Sequence, residues 1–499
     1  MKKLTTITEN SGVTLLSIAL VVSILLIVHS ASGVRGTDQY WYLADVEQLA
    51  SNQPPITNLV YPGKILRDND GVSPNYFMHN GPMLHFAALL SRVTSPYAAW
   101  ISINLACHLL VALCIFAVTN VYTSKEFPYL LTSLYLLSPI AIWQTLNLLQ
   151  EQFYAGILAL CFMGYTYRKY TTAHCTLVAA LTIGIASHPL FGVLAFCYLI
   201  YFFITSFISK KPNKFLASIL LTALFTSASL ITPVLFPSSF QSDLSAIITS
   251  SIPGKTNMMW HYSNANIPVS ADLLLDKLLY VLKNQLFSLR NSPLYLYTNI
   301  ASLACLYLVI YRRRNYSTIL IPCCLALAAY AAIVVLMQLQ PRYQQIVAPA
   351  SFITIGLLAH SLGHRVPRHF YRLGTVALLI ATTAVSVILA REARQQGVSE
   401  KIALDTLRNK LSSIPDDANV VIVDTKHELK LSYALRPRKV MAVRTEFLNA
   451  ESTEFALSVF EPEFLISSKE VGQFLPTISK KQLKVAGLGV FHQYKLIKK

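Results

Sequence analysis

Charge is scarce in this chain of 499 residues: Asp, Glu, Lys and Arg make up 13% of it, against 54% hydrophobic residues. Soluble domains carry about 25% charged residues, so the deficit excludes an ordinary soluble fold. A mean hydropathy of +0.48 agrees. Cysteine is no staple here either. All eight cysteines (107, 114, 161, 175, 197, 305, 323 and 324) fall in apolar runs, and none lies in the connections assigned below to the outer face. They show neither metal-ligand spacing nor a disulfide framework, and they read as small buried hydrophobes. There is no internal repeat of the kind that marks many transporters. Ionisable residues are almost absent from the middle of the apolar runs, where a conduction path needs them.

What is present is a series of apolar runs long enough to cross the roughly 30 Å hydrocarbon layer. They are Val13–Val28, Tyr97–Tyr122, Tyr129–Leu146, Phe153–Tyr167, Cys175–Ser187, Pro189–Phe207, Phe215–Phe236, Leu294–Ile310, Thr318–Leu339, Ile346–Leu362 and Thr375–Ala390, eleven in all. His188-Pro189 splits Cys175–Phe207 into two, because Pro interrupts a helix and disfavours helical geometry just before it. Charge tests the count. With the N-terminus inside, the inner connections hold fourteen basic residues, among them Arg312, Arg313, Arg314, Arg365 and Arg368, against Glu9 and Glu126 alone. The longer outer loops before residue 391 hold nine basic and nine acidic residues. That is the positive-inside pattern, so the formal net charge of +17 is a topology signal and not one of nucleic-acid binding. The first run is also short enough, with Ser30-Ala31-Ser32-Gly33 after it, to be read as a signal peptide.

Two outer loops, 29–96 and 237–293, and a tail interrupt the row of spans. The first loop is expected to hold a helix at Tyr40–Leu49 and an interfacial helix at Pro82–Val93. The second is expected to hold a helix at Ala271–Leu289 with Leu274, Leu278, Val281, Leu282 and Leu289 on one face. From Arg391 the chain changes regime, with 18 Lys and Arg, 13 Asp and Glu and no span. A helix around Ser399–Leu411 and strand-like runs at Asn419–Asp424, Lys439–Val443, Phe464–Ile466 and Phe491–Ile497 suggest a small α/β domain. The expected fold class is therefore an α-helical polytopic membrane protein of about eleven transmembrane helices over 1–390. A small extracytoplasmic C-terminal α/β domain over 391–499 completes it.

Polar residues of chemical interest collect on the outer side. Asp38 opens the first loop in Gly36-Thr37-Asp38-Gln39-Tyr40-Trp41-Tyr42, where it can act as a base on a lipid-delivered substrate or simply cap the following helix. Lys64, Arg67, Asp68 and Asp70 lie mid-loop, and His79-Asn80-Gly81-Pro82 precede the interfacial helix. Glu151 stands between the third and fourth spans, as an acidic candidate or a helix cap. Arg342-Tyr343 form the turn between the ninth and tenth. A cation there suits a lipid phosphate, which Arg can grip in bidentate fashion; snorkelling is the plainer reading. His79, His188 and His261 have no metal spacing.

This order of features resembles the GT-C superfamily of integral-membrane glycosyltransferases, the group of the protein O-mannosyltransferases and the lipid A aminoarabinose transferase. The shared features are an aspartate opening a large outer loop after the first span, a Pro-containing interfacial helix, an Arg-Tyr turn before a late span, and an outer α/β tail. The resemblance implies transfer of a sugar from a polyprenyl-phosphate donor to an extracytoplasmic glycan, lipid or protein acceptor, with inversion, in the plasma (inner) membrane. Asp38 would serve as base, Arg342, Tyr343 and Lys64 would hold the donor phosphate, and Glu151 would orient the acceptor. Asp68 and His79 are further candidates. Many members carry an Asp-Glu pair where this chain has Asp38-Gln39, which speaks against metal binding there; no cofactor is assigned, and a divalent metal stays open. The competing readings are a lipid-linked sugar transporter or flippase, and a glycan polymerase or ligase of another membrane fold.

Overall fold

The computed structural model describes residues 2–54, 58–60, 62, 81–124, 126–209, 212–235, 271–283, 296–336, 341–363, 368–423, 427–443, 451–469, 477–485 and 488–496. Each apolar run falls mainly on helix over its described residues: α1 (Lys2–Ser30), α4 (Pro96–Tyr122), α5 (Glu126–Leu136) with α6 (Pro139–Leu146), α7 (Glu151–Thr166), α8 (Thr171–Ile185), α9 (Pro189–Ser209), α10 (Pro212–Leu235), α12 (Leu296–Leu336), α13 (Ala348–Gly363) and α14 (Arg368–Leu411). By length and composition, four helices among the described residues can cross a membrane, or five when α5 and α6 count as one bent span; six more apolar helices are shorter.

The ends of these helices follow from local chemistry. Pro96 opens α4, where its missing N–H costs nothing, and the Ser95 hydroxyl accepts the Ala98 amide at 3.2 Å. Pro139 breaks the third run into α5 and α6, bent by 48°. The break deprives the Leu137 carbonyl of a helical partner, and the Ser386 hydroxyl of α14 donates to it at 2.6 Å.

Two helices run on through sequence boundaries. Helical backbone is continuous over α12, yet Cys305 Sγ and Cys324 Sγ lie 2.8 Å apart. A straight helix would separate residues nineteen apart by about 28 Å. The chain therefore doubles back between them, and α12 is a hairpin of the two expected spans. In α14 a membrane segment and the expected Ser399–Leu411 helix are one element of 44 residues, about 66 Å long if straight.

The first outer loop holds α2 (Thr37–Ala50) and α3 (Pro82–Ser91). Met83, Leu84 and Ala87 of α3 are buried, while Phe86 and Leu89 are exposed apolar residues, as suits a helix with one flank against lipid. In the second loop α11 (Ala271–Leu282) is described; Val281 is buried, and Leu278 and Leu282 are partly exposed. The expected continuation to Leu289 lies outside the described residues.

After α14 comes an α/β unit: β2 (Asn419–Val423), α15 (Glu428–Leu435), β3 (Lys439–Val443), α16 (Glu451–Phe460), β4 (Phe464–Ser467), β5 (Thr477–Val485) and β6 (Gly489–Leu496). A further strand, β1 (Leu59–Val60), comes from the first loop, and the sheet order is β1-β3-β2-β4-β6-β5. The first four strands are parallel, and β6 pairs antiparallel with both β4 and β5. Asn-Val-Val-Ile-Val in β2 has no polar alternation because both faces are covered. Val420 and Ile422 join the large core, whereas Val421 and Val423 pack with Met441, Val443 and Ala456. The Asn58 side chain donates to the Ser432 and Arg438 carbonyls at 3.0 and 2.9 Å, tying the first loop to this unit.

Candidate functional site

The N-terminal turn of α2 sits against the turn that precedes α7. Gln39, buried, donates from Nε2 to Asn147 Oδ1 at 3.2 Å, and its Oε1 accepts the amides of Leu148 (3.2 Å) and Arg35 (3.3 Å). Asn104, buried in α4, donates to the carbonyls of Thr145 and Asn147 at 3.3 and 2.7 Å. Two amide side chains thus satisfy the irregular backbone between α6 and α7, which could not stay unpaired in an apolar surrounding.

That clamp brings α2 within a few residues of Glu151. The cap of α2 is Gly36, in extended conformation, and Asp38 falls in the first helical turn. The capping reading of Asp38 is therefore set aside; a carboxylate in a first turn still suits the helix dipole. Glu151 is likewise not a cap. It is the first residue of α7, after Gln150, and its side chain is 8% exposed.

Glu151 Oε1 lies 3.1 Å from Arg342 Nε. Arg342 belongs to a 3₁₀ helix (Pro341–Val347), its guanidinium 5.4 Å over the Tyr343 ring. The next two residues pin this turn. Gln344 accepts from the Thr298 hydroxyl at 2.9 Å, while Gln345 Nε2 donates to Tyr135 Oη at 3.1 Å and to Gln152 Oε1 at 2.8 Å. Of the candidates, Glu151, Arg342 and Tyr343 are brought together beside the start of α7, with the backbone of Asp38 across the Gln39 clamp. Lys64, Arg67, Asp68, Asp70, His79 and His261 lie outside the described residues. His188 accepts the Leu190 amide at 3.2 Å and packs on Tyr154, ring centroids 4.9 Å apart, as a satisfied structural histidine. Among the described residues no three His, Cys, Asp or Glu side chains group as a metal site.

Sequence reasoning missed the amides that build this site. Asn104, Gln152, Gln344 and Gln345 sit in or beside apolar runs, and a polar amide in such a setting was the available signal. It also missed His108, buried in α4, bonded to Ser23 at 3.0 Å and stacked on Tyr135 at 5.0 Å.

The sequence matches no protein-family profile and no curated protein. Solved structures match in fold. An oligosaccharyltransferase of Archaeoglobus fulgidus, in complex with Zn and sulfate, aligns with a TM-score of 0.55 at 14% identity, covering 91% of this chain and 67% of that one. ArnT from Cupriavidus metallidurans bound to undecaprenyl phosphate aligns at 0.54 and 13% identity, covering 96% and 97%. The archaeal enzyme AglB with an inhibitory peptide and a dolichol-phosphate aligns at 0.55 and 13%, covering 91% and 69%. These neighbours are GT-C superfamily membrane glycosyltransferases. The resemblance read from the sequence therefore holds at the level of fold, and the apolar helices make this a membrane protein.

Proposed function

We propose that this protein is an inverting membrane glycosyltransferase that moves a sugar from a polyprenyl-phosphate donor to an acceptor on the extracytoplasmic face. The observation that carries the reading is the Arg342–Glu151 pair, set by the Gln39 clamp beside the helical turn that bears Asp38. A cation and a carboxylate-bearing turn then flank one site, as glycosyl transfer from phosphate requires. Arg342 stabilises the leaving phosphate, with Tyr343 beside it and Lys64 as a second cation. Asp38 takes the proton of the acceptor hydroxyl as it attacks the anomeric carbon. The C–O bond to phosphate breaks on the opposite face, which inverts the anomer and leaves polyprenyl phosphate.

Glu151 has a different part from the acceptor-orienting one that the resemblance implied. Its carboxylate oxygen Oε1 lies 3.1 Å from Arg342 Nε and fixes where the guanidinium sits. Glu151 is thus a positioning residue, holding the fork toward the phosphate. The tail and the outer loops face the extracytoplasmic side of the plasma (inner) membrane. Lipid-linked sugars and surface glycans from a deletion strain test the reading. The strain is expected to accumulate a polyprenyl-phosphate sugar and to lose the matching glycan residue. Unchanged lipid-linked sugars together with unchanged glycans would contradict it.

A further inference from the structure

A polar cleft opens at the far end of α2, between that helix, the end of α14 and α15. It holds about 640 Å³ and is lined by Gln53, Ser412 and Tyr433 among others, a volume within the roughly 300–1,000 Å³ of small-molecule sites. We infer that this cleft binds an acidic sugar unit of the acceptor glycan. The inference rests on the transferase reading above.

A row of four side chains defines its chemistry. The Arg408 guanidinium lies 4.9 Å over the Tyr433 ring. Tyr433 donates from its hydroxyl to Glu47 Oε1 at 2.7 Å, and Glu47 Oε2 lies 3.9 Å from Arg436 Nη1. The row thus carries two cations to one anion. The guanidinium also makes a side-chain hydrogen bond with Tyr433, which uses part of its five N–H donors and leaves the others to donate. Among the described residues no carboxylate lies within ion-pair distance of Arg408. Its edge matches a carboxylate or phosphate in bidentate geometry.

The other charges of the cleft are already engaged. Arg438 is buried, its Nη2 lies 2.9 Å from Asp416 Oδ1, and its Nε donates to the Ile414 and Pro415 carbonyls, both at 3.0 Å. It builds the wall and leaves the recognition to Arg408. Amide and hydroxyl groups such as Gln53 and Ser412 offer the mixed donors and acceptors that sugar hydroxyls need. The lining leaves no large apolar surface for a lipid tail.

Position relates the cleft to transfer. Glu47 follows Asp38 by nine residues on one helix, two and a half turns, so the row lies about 14 Å along the α2 axis from the catalytic turn and on the other flank of the helix. A glycan chain of several units, held here by an acidic unit, can pass round α2 and lay a more terminal hydroxyl at Asp38.

The test is titration of the full chain in nanodiscs with four probes: trigalacturonate, mannose 6-phosphate, maltotriose and inorganic phosphate. At least one of the two acidic sugars is expected to bind about tenfold or more tighter than maltotriose, consistent with a charge-assisted pair. Which one wins separates a uronate from a phosphate ester. Arg408→Gln should remove that advantage, and Arg408→Lys should keep part of it. The inference is overturned if maltotriose binds as well as both acidic sugars, if nothing binds, or if Arg408→Gln changes nothing. Inorganic phosphate binding as tightly as mannose 6-phosphate would reduce the cleft to an anion site and overturn the glycan assignment. Polyprenyl phosphate binding by wild type and Arg342→Ala in the same nanodiscs keeps the two readings apart. Loss in Arg342→Ala with no Arg408 effect on acidic sugars sinks this inference alone. Acidic-sugar binding without polyprenyl phosphate binding by wild type would remove the cleft's role as an acceptor site.

Discussion

Arg342 is the residue on which donor recognition turns in the proposed function. Its Nε lies 3.1 Å from Glu151 and its guanidinium lies over Tyr343, so its orientation is set before a donor arrives. Arg342→Ala should weaken polyprenyl phosphate binding by about tenfold or more, and Arg342→Lys should retain part of the affinity, because a point charge replaces a fork. Glu151→Gln should lie between wild type and the alanine variant, since the guanidinium survives without its anchor. Titration of each variant with polyprenyl phosphate checks the order; alanine binding like wild type would remove Arg342 from the site. A second residue belongs to stability. Asp45 is fully buried in α2, and burial pushes its carboxyl well above the usual carboxylate range, with Arg436 opposing. A carboxyl raised on folding contributes stability below its unfolded value near 3.8, and that contribution is lost as pH rises through the folded value. Asp45→Asn should therefore raise the thermal midpoint at neutral pH, with the gain shrinking as pH falls toward 4. Unfolding curves across that range decide it; a gain independent of pH would refute the cause given.

Among the elements, α14 joins membrane and α/β unit by a close approach to the chain after α1. Gly33 has φ +136°, and a Cβ there would stand 3.0 Å from the Gly397 carbonyl; a Cβ on Gly397 would meet Ser32 Oγ at 2.5 Å. Ser32 donates to the Arg394 carbonyl at 2.9 Å across this seam. Gly397→Leu should cost about 1–3 kcal/mol through overpacking, read as a lower thermal midpoint in detergent. An unchanged midpoint would mean that the seam opens at no cost. The same scale shows what sequence could and could not reveal. β2 and β3 were legible as short apolar β-branched runs, and α12 as two spans from its Arg312–Arg314 cluster. β1 was not, because two residues acquire strand geometry only by pairing with Val440 and Met441, some 380 positions away. β5, Thr-Ile-Ser-Lys-Lys-Gln-Leu-Lys-Val, was hidden because an edge strand rich in lysine reads as a solvated loop. At the site, Arg342, Tyr343 and Glu151 were legible as polar residues at span ends. Their mutual pairing was not, since it depends on how α7 meets the 3₁₀ turn.

Across the whole molecule, the proposed topology has the basic connections on one side and the transfer chemistry on the other. Reporter fusions after Arg314 and after Lys499 should report opposite compartments, and agreement between them would break the proposed topology. The sheet that takes β1 from the first loop and its other five strands from the tail fits both segments being on the same side. In the proposed function the α2 turn supplies the base for transfer from a lipid phosphate held across from it. The rate of sugar transfer from polyprenyl-phosphate donor by Asp38→Asn, in membranes where its level equals wild type, tests that role. Asn preserves size and helix geometry but takes no proton. The expected outcome is a loss of about 10²–10⁴ in rate with polyprenyl phosphate binding retained. Near-normal transfer by the Asn variant would contradict it.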